Sequence, residues 1–252
     1  MTVTEPIVFD RIADRYDETR GGEPRGAVIA ADVAPWLMAG TVLEVAVGTG
    51  VVATALTAAG HPTLGIDLSP EMIARARVRL GPRVAIGDAR TLPVGDSTVD
   101  NVLFVWALHL VGDIGAALRE AARVVRPGGR VVVVYGNASE VRRDIDEAMG
   151  TLRECAQAPD TPEAVQAAAA AAGLRPVYDG YTTPRPFRTS PTREADLIEQ
   201  KSWSRLWQLS EAEFAELTAP VIAALRALPD PDHARILSSR NHLVVLSGGE
   251  HL

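Results

Sequence analysis

VLEVAVGTG, residues Val42 to Gly50, joins a short apolar run to a glycine-rich loop, and the helix-forming stretch VVATALTAAG carries on from it to Gly60. A buried strand that empties into glycines and then a helix opens a βαβ unit, whose loop lets the backbone approach a ligand closely at the carboxyl edge of a parallel sheet. Outward from this stretch the alternation repeats. Pro62–Asp67 (PTLGID) reads as a second strand. Ser69-Pro70-Glu71 then supplies an N-cap, a proline at the first helical position and an acidic first turn for a helix to about Leu80, stopped by Gly81-Pro82. Arg83–Asp88 is a third strand, and Val99–Trp106 a fourth, continuously apolar after Asp100 as a central parallel strand should be. Ile114–Val125 reads as a helix closed by Pro127-Gly128-Gly129, and Arg130–Tyr135 as a fifth strand. The pattern predicts an α/β fold with helices on both faces of a mostly parallel sheet.

The second half is less regular. Thr161 and Pro162 open an Ala-rich helix to Ala172, and Leu174–Thr182 reads as a sixth strand. TTPRPFRTSPTR follows, then two predicted helices, about Glu194–Leu206 and Glu211–Leu228, and a last strand, Asn241–Ser247. With no repeats and no dividing linker, one domain over 1–252 is expected. Its parts are N-terminal helices (1–37), a ligand-binding core (38–136) and a second half (137–252) with inserted helices at about 184–238.

Composition narrows the function classes. Of 252 residues, 47% are hydrophobic and 23% charged, which describes a globular chain rather than a disordered one. A net charge of −7 argues against a large nucleic-acid footprint, since phosphate contacts need clustered Lys and Arg. The basic group Arg75, Arg77, Arg79 and Arg83 reads as a solvated helix face. Cys155 is the single cysteine, so no internal disulfide can form, and the five histidines show no metal-ligand spacing. The N-terminus carries charges throughout and no apolar run is long enough for a membrane span. A cytoplasmic, metal-free protein, monomer or homodimer, is the expectation.

The glycine loop by itself is ambiguous. Gly48-Thr49-Gly50-Val51-Val52-Ala53 satisfies the G-x-G-x-x-G/A dinucleotide pattern with Asp67 as a ribose ligand, so a nicotinamide-dependent oxidoreductase competes. Three carboxylates weigh against it. Glu44 lies inside an apolar strand, where a carboxylate is costly without a partner and unhelpful beside a pyrophosphate. Asp67 closes the second strand, placed to accept from both ribose hydroxyls, and Asp88 closes the third, placed to accept from an adenine amine. Three carboxylates at the tips of three consecutive strands fit a cationic nucleoside better than an anionic dinucleotide.

The succession VLEVAVGTG, GIDLSPEMIARAR, GDARTLPVGDSTVDNVLFVWALHLV and LREAARVVRPGGRVVVV resembles the class I S-adenosylmethionine (SAM) dependent methyltransferases. It looks closest to their small-molecule group, which includes ubiquinone/menaquinone C-methyltransferases. The likeness covers about Phe9 to Tyr135. It implies a Rossmann-like, seven-stranded sheet whose last strand is antiparallel to the rest, with SAM across the strand tips. By position it implies Gly48 and Gly50 along the methionine and ribose portion with Glu44 beneath. Asp67 would sit on the ribose diol, Leu68 and Met72 beside the adenine, and Asp88 with the Ala89 amide at its edge. Val105 would belong to the same wall. YDETRGG resembles a lid helix in which Tyr16 and Arg20 clamp the SAM carboxylate. The family's first loop glycine is Ala46 here, a methyl group where the backbone is usually bare.

Further candidates lie beyond the cofactor. His109, in W-A-L-H-L, is placed to act as general base for a hydroxyl or amine of the acceptor, or to pack beneath the lid. Trp106 is placed to border the sulfonium or to serve as core. Trp203 and Trp207, read at i,i+4 on a helix, are candidates for substrate contact or for packing. The expected activity is methyl transfer from SAM to an O, N or C nucleophile of a small molecule. A non-catalytic SAM-binding protein is the remaining alternative.

Overall fold

In the computed structural model, the described residues are 9–139, 143–150, 152, 159–203, 206–207 and 209–248. They divide into two compact units: 9–136, 159–182 and 241–248 form one, and the described residues within 137–152 and 183–240 form the other.

The first unit holds the parallel sheet. β1 (Val42–Val45), β2 (Thr63–Asp67), β3 (Val84–Ile86), β4 (Val99–Val105) and β5 (Val125–Ser139) are joined by α3 (Val51–Ala58), α4 (Pro70–Leu80) and α5 (Ile114–Val124). The sheet order is β3-β2-β1-β4-β5-β8-β6, where β6 is Arg175–Tyr181 and β8 is Arg235–Ser247. β1 pairs in parallel with β2 (Val42↔Thr63) and with β4 (Val42↔Asn101), so the glycine loop emerges at the middle of the sheet. β6 and β8 pair antiparallel, Tyr181 opposite His242. The expected architecture is present.

Strand periodicity explains why both faces are apolar. Leu43, Val102, Phe104, Val131 and Val133 pack with α5 and with α7 (Pro162–Ala171) in one core cluster. Val42, Leu103, Val132 and Val134 pack on the other face with α2 (Gly22–Val33) and α3. Alternate residues therefore reach opposite covered faces. Glu44, two residues from Val42, falls on the α2/α3 side and is buried, 3% exposed.

The helix starts follow the residues that signal them. The Ser69 hydroxyl accepts from the Met72 amide at 3.1 Å with Pro70 next in line, and Thr161 does the same for Ala164. One boundary departs from expectation at the end of α5. Val125 already pairs with Val99, and the segment containing Pro127-Gly128-Gly129 is an irregularity inside β5 rather than a turn before it. Gly129 permits this, since a Cβ there would lie 2.5 Å from the Asp100 carbonyl.

The second unit corrects two expectations. Part of TTPRPFRTSPTR forms β7 (Arg185–Thr189), antiparallel to the opening of β8 (Arg185↔Ser239), so β8 starts six residues before the predicted Asn241. The next helix, α8, is Pro191–Glu199: Ser190 caps it, accepting from the Arg193 amide at 3.2 Å, and it ends before Lys201, whose φ is +48°. Trp203 and Trp207 thus lie past the helix, and their i,i+4 spacing is not a helical face. Trp203 packs in this unit's apolar cluster with Ile198 and Leu225, and the Trp207 indole N–H donates to the Lys201 carbonyl at 2.6 Å. α6 (Asp144–Ala148) and α9 (Glu211–Arg226) complete the helices described here.

Candidate functional site

The tips of β1 and β4 and the N-terminal helices enclose a pocket in the first unit. Tyr16, Arg20, Glu44, Ala46, Gly48, Val105 and Trp106 all line it, so seven of the expected residues meet there. Arg25, Gly26 and Thr49, which the sequence did not single out, line it too.

Glu44 is the electrostatic centre. It accepts a hydrogen bond from the Ala53 amide in the first turn of α3, while its Oε2 is buried with no partner. Burial first, and the neighbouring Asp67 charge second, push its pKa up to about 8, against the Ala53 hydrogen bond. An unmatched acceptor in a closed apolar wall fits an incoming cationic donor.

Cations stand in the same pocket. The Arg25 guanidinium lies 3.5 Å from the Trp106 ring centroid and donates to the Arg20 carbonyl at 3.1 Å. Burial lowers its pKa to about 10, which leaves it charged at neutral pH. Burial also lowers Arg20 and raises Tyr16, whose shift Arg25 and Arg20 oppose. The pocket therefore offers one orphan carboxylate oxygen and two guanidinium groups.

The two loop glycines differ in role. Around Gly48 a Cβ would meet nothing within 4 Å, and its amide donates to Asp67 Oδ2 at 2.8 Å. A Cβ on Gly50 (φ +80°) would lie 3.0 Å from Leu80 Cδ1 and 3.3 Å from Ala76. Gly50 is absent from the pocket lining and serves the packing of α4. Ala46 is left-handed at φ +59°, a conformation in which its methyl group costs roughly 1–2 kcal/mol. That cost exceeds the roughly 0.5–1 kcal/mol by which glycine loosens the unfolded chain. Ala46→Gly is therefore expected to stabilise the protein by about 0.5–1 kcal/mol, read as a higher urea midpoint at unchanged m-value. A lower midpoint would contradict it. Trp106 is also left-handed, at φ +49°, held by its amide on the Val134 carbonyl (2.7 Å) and its indole N–H on Asn241 Oδ1 (3.0 Å). Strain of this kind persists where the surroundings over-determine it.

The remaining expected residues lie along the strand tips. Asp67 accepts from the Gly48 and Ser69 amides (2.8 and 2.9 Å), and burial raises its pKa. Leu68 is 36% exposed and Met72 is buried. Asp88 is not a free acceptor: Arg90 donates to both of its oxygens, closest at 2.7 Å, and holds its pKa low. Ala89 packs against the core beside it. His109 sits in a 3-10 turn, Leu108–Leu110, outside the lining of the pocket, with Nδ1 3.3 Å from Asp160 Oδ2.

The N-terminal helices are anchored by side chains the sequence left unread. Asp17 accepts from the Thr49 hydroxyl at 2.6 Å and from Arg79 at 2.7 Å, and Arg79 also donates to the Thr49 carbonyl at 3.1 Å. Asp10 and the Ser69 hydroxyl are hydrogen-bonded as well. Arg79 is thus a tether for α1 (Tyr16–Arg20), not part of a solvated face. Among the described residues, no cluster of metal-ligating side chains gathers, and no helix is long and apolar enough to cross a membrane.

Comparison with known proteins agrees with the architecture. Residues 43–133 match a family model described as a methyltransferase domain. An uncharacterized methyltransferase of Mycobacterium tuberculosis is 29% identical over 96% of this chain and 90% of its own length. The demethylmenaquinone methyltransferase of Mycolicibacterium gilvum is 41% identical over 131 residues, 50% of this chain and 57% of that protein. A SAM-dependent methyltransferase of Thermotoga maritima has the same fold, with a TM-score of 0.57 at 19% identity, covering 96% of this chain and 98% of that one. The strand-tip carboxylates that favoured a cationic nucleoside over a dinucleotide and the match agree: residues 43–133 are similar to a methyltransferase domain, and the chain has the fold of SAM-dependent methyltransferases.

Proposed function

We propose that the pocket holds the amino-acid end of SAM, and that the enzyme moves the methyl group to an oxygen, nitrogen or carbon nucleophile of a small-molecule acceptor. One observation carries this reading: an orphan carboxylate oxygen on Glu44 and the guanidinium groups of Arg20 and Arg25 line the same pocket. A zwitterion needs that pairing of groups, whereas a pyrophosphate carries no cation for the Glu44 carboxyl to meet. The open side of Gly48 supports close passage of the ligand over the loop.

Bound SAM supplies an activated methyl group on a cationic sulfur. The chain's part is to hold, orient and dry the reactants. Glu44 accepts from the ammonium group, while Arg20, Arg25 and Tyr16 hold the carboxylate. Asp67 accepts from the Gly48 and Ser69 amides on different oxygens, and its carboxylate edge is the acceptor offered to the ribose diol. Leu68 and Met72 flank the adenine, and the Ala89 amide meets its edge. Asp88 joins them when Arg90 yields one of its oxygens. Val105 and Trp106 wall the sulfur side, and His109 takes the proton of the acceptor's nucleophile.

Calorimetric titration tests the reading. Micromolar binding of S-adenosylhomocysteine with no binding of NADH is the expected result. NADH binding, or no heat with S-adenosylhomocysteine at millimolar concentration, would overturn it.

A further inference from the structure

His109 does not stand alone. Asp160 lies 51 positions further along the chain, directly before Thr161, whose hydroxyl caps α7 by accepting from the Ala164 amide. That cap fixes the backbone from which the carboxylate projects. The Asp160 side chain is 1% exposed, its Oδ2 lies 3.3 Å from His109 Nδ1, and its Oδ1 has no hydrogen-bond partner. No arginine or lysine among the described residues forms an ion pair with it; its charged-group neighbour at hydrogen-bond distance is the His109 ring. A carboxylate so enclosed costs several kcal/mol of desolvation, and a half-satisfied one is a poor way to hold a core together. The imidazole keeps 18% of its side-chain surface exposed, so one nitrogen is committed while the ring is not sealed. Leu108, 1% exposed, anchors the turn that carries it. Tyr135, whose buried hydroxyl also lacks a partner, forms no hydrogen bond to Asp160 and so does not compete for it.

We propose that Asp160 is a positioning residue for His109, fixing the proton on Nδ1 and leaving Nε2 as the proton acceptor. The proposal deepens the reading of His109 as the base. In the step it would serve, the proton of the acceptor's nucleophile would pass to Nε2 as the nucleophile's electron pair forms the new bond to the methyl carbon, while the methyl–sulfur bond breaks and its electron pair stays on sulfur, leaving the neutral thioether of S-adenosylhomocysteine. The resulting imidazolium would be balanced by the neighbouring Asp160 side chain.

The tautomer is directly observable. In protein labelled with 15N-histidine, long-range 1H–15N spectra at pH 9 report which ring nitrogen carries the proton, with His109 assigned by loss of its signals in His109→Gln. The wild-type protein is expected to show the proton on Nδ1. In Asp160→Asn that share is expected to fall several-fold, with S-adenosylhomocysteine affinity within about twofold of wild type. A wild-type His109 protonated on Nε2 would overturn the proposal, however Asp160→Asn behaves. An unchanged tautomer in Asp160→Asn would overturn it as well. Failure of the wild-type protein to bind S-adenosylhomocysteine would instead remove the cofactor reading and leave the tautomer result standing.

Discussion

Glu44→Gln is expected to weaken S-adenosylhomocysteine binding about 100-fold and, above neutral pH, to stabilise the ligand-free protein. The first effect follows from charge. A charge-assisted hydrogen bond contributes about 1.5–3 kcal/mol, and leaving a buried ammonium without its counter-ion costs about 2–5 kcal/mol. Since about 1.4 kcal/mol is a factor of ten, two decades of affinity is the middle of that range. The second effect has the opposite sign because the fold holds Glu44 with its pKa raised to about 8, above its unfolded value near 4.5. Between those values the folded state binds more protons than the unfolded one, so stability declines as pH rises through that window. At about 1.36 kcal/mol per unit the loss approaches ~5 kcal/mol by alkaline pH. Glutamine removes the titration, so the variant's advantage should be near zero at pH 4.5 and grow to a few kcal/mol at pH 8–9. Denaturant titrations across that range read it directly. The same linkage makes wild-type binding release a proton below pH 8, so affinity should rise between pH 6 and 8 and lose that slope in the variant. A variant that binds normally, or is destabilised at every pH, would show that Glu44 is a structural carboxylate.

The fold was legible wherever a segment carries its own signals. Val42–Val45, Thr63–Asp67 and Val99–Val105 are apolar runs bounded by glycine, proline or aspartate, and each forms the expected strand. Arg185–Thr189 was not legible: its proline and two arginines suppress a strand pattern, and it exists through pairing with β8, some 50 residues on. The Ser190-Pro191 start of α8 repeats the Ser69-Pro70 signature and could have been read. In the site, Glu44 and Asp67 stood out because carboxylates are unexpected at apolar strand tips. Asp17 with Arg79, Arg25 with Trp106, and Asp160 with His109 left no trace, since each pair meets only after distant segments pack. Gly48 and Gly50 look alike in sequence and differ because one faces open space and the other faces α4.

Gly26 gives the second large effect, and its sign rests on a balance of magnitudes. It lies inside α2, where alanine ordinarily favours the helix by about 1 kcal/mol over glycine. Here a Cβ would stand 2.6 Å from the Val51 carbonyl oxygen, 2.7 Å from its carbon and 2.9 Å from the Val51 Cβ. Two of those three atoms are backbone at the start of α3, so no rotamer change relieves the clash and the helices must separate. Overpacking of this kind costs about 1–3 kcal/mol, which outweighs the propensity gain. Gly26→Ala is expected to lower stability by about 1–2 kcal/mol, and Gly26→Val by more, since valine adds bulk and loses helix propensity. The cost should also reach function. α2 carries Arg25 into the pocket while the start of α3 supplies the Ala53 amide to Glu44, so separating the two helices pulls apart the charges that hold a zwitterion. Gly26→Ala is therefore expected to weaken S-adenosylhomocysteine binding at least tenfold even where the protein is fully folded, measured by titration well below its melting temperature. A Gly26→Ala protein that melts higher and binds normally would mean that the approach of α2 to α3 has slack, and would remove close packing as the reason for glycine at this position.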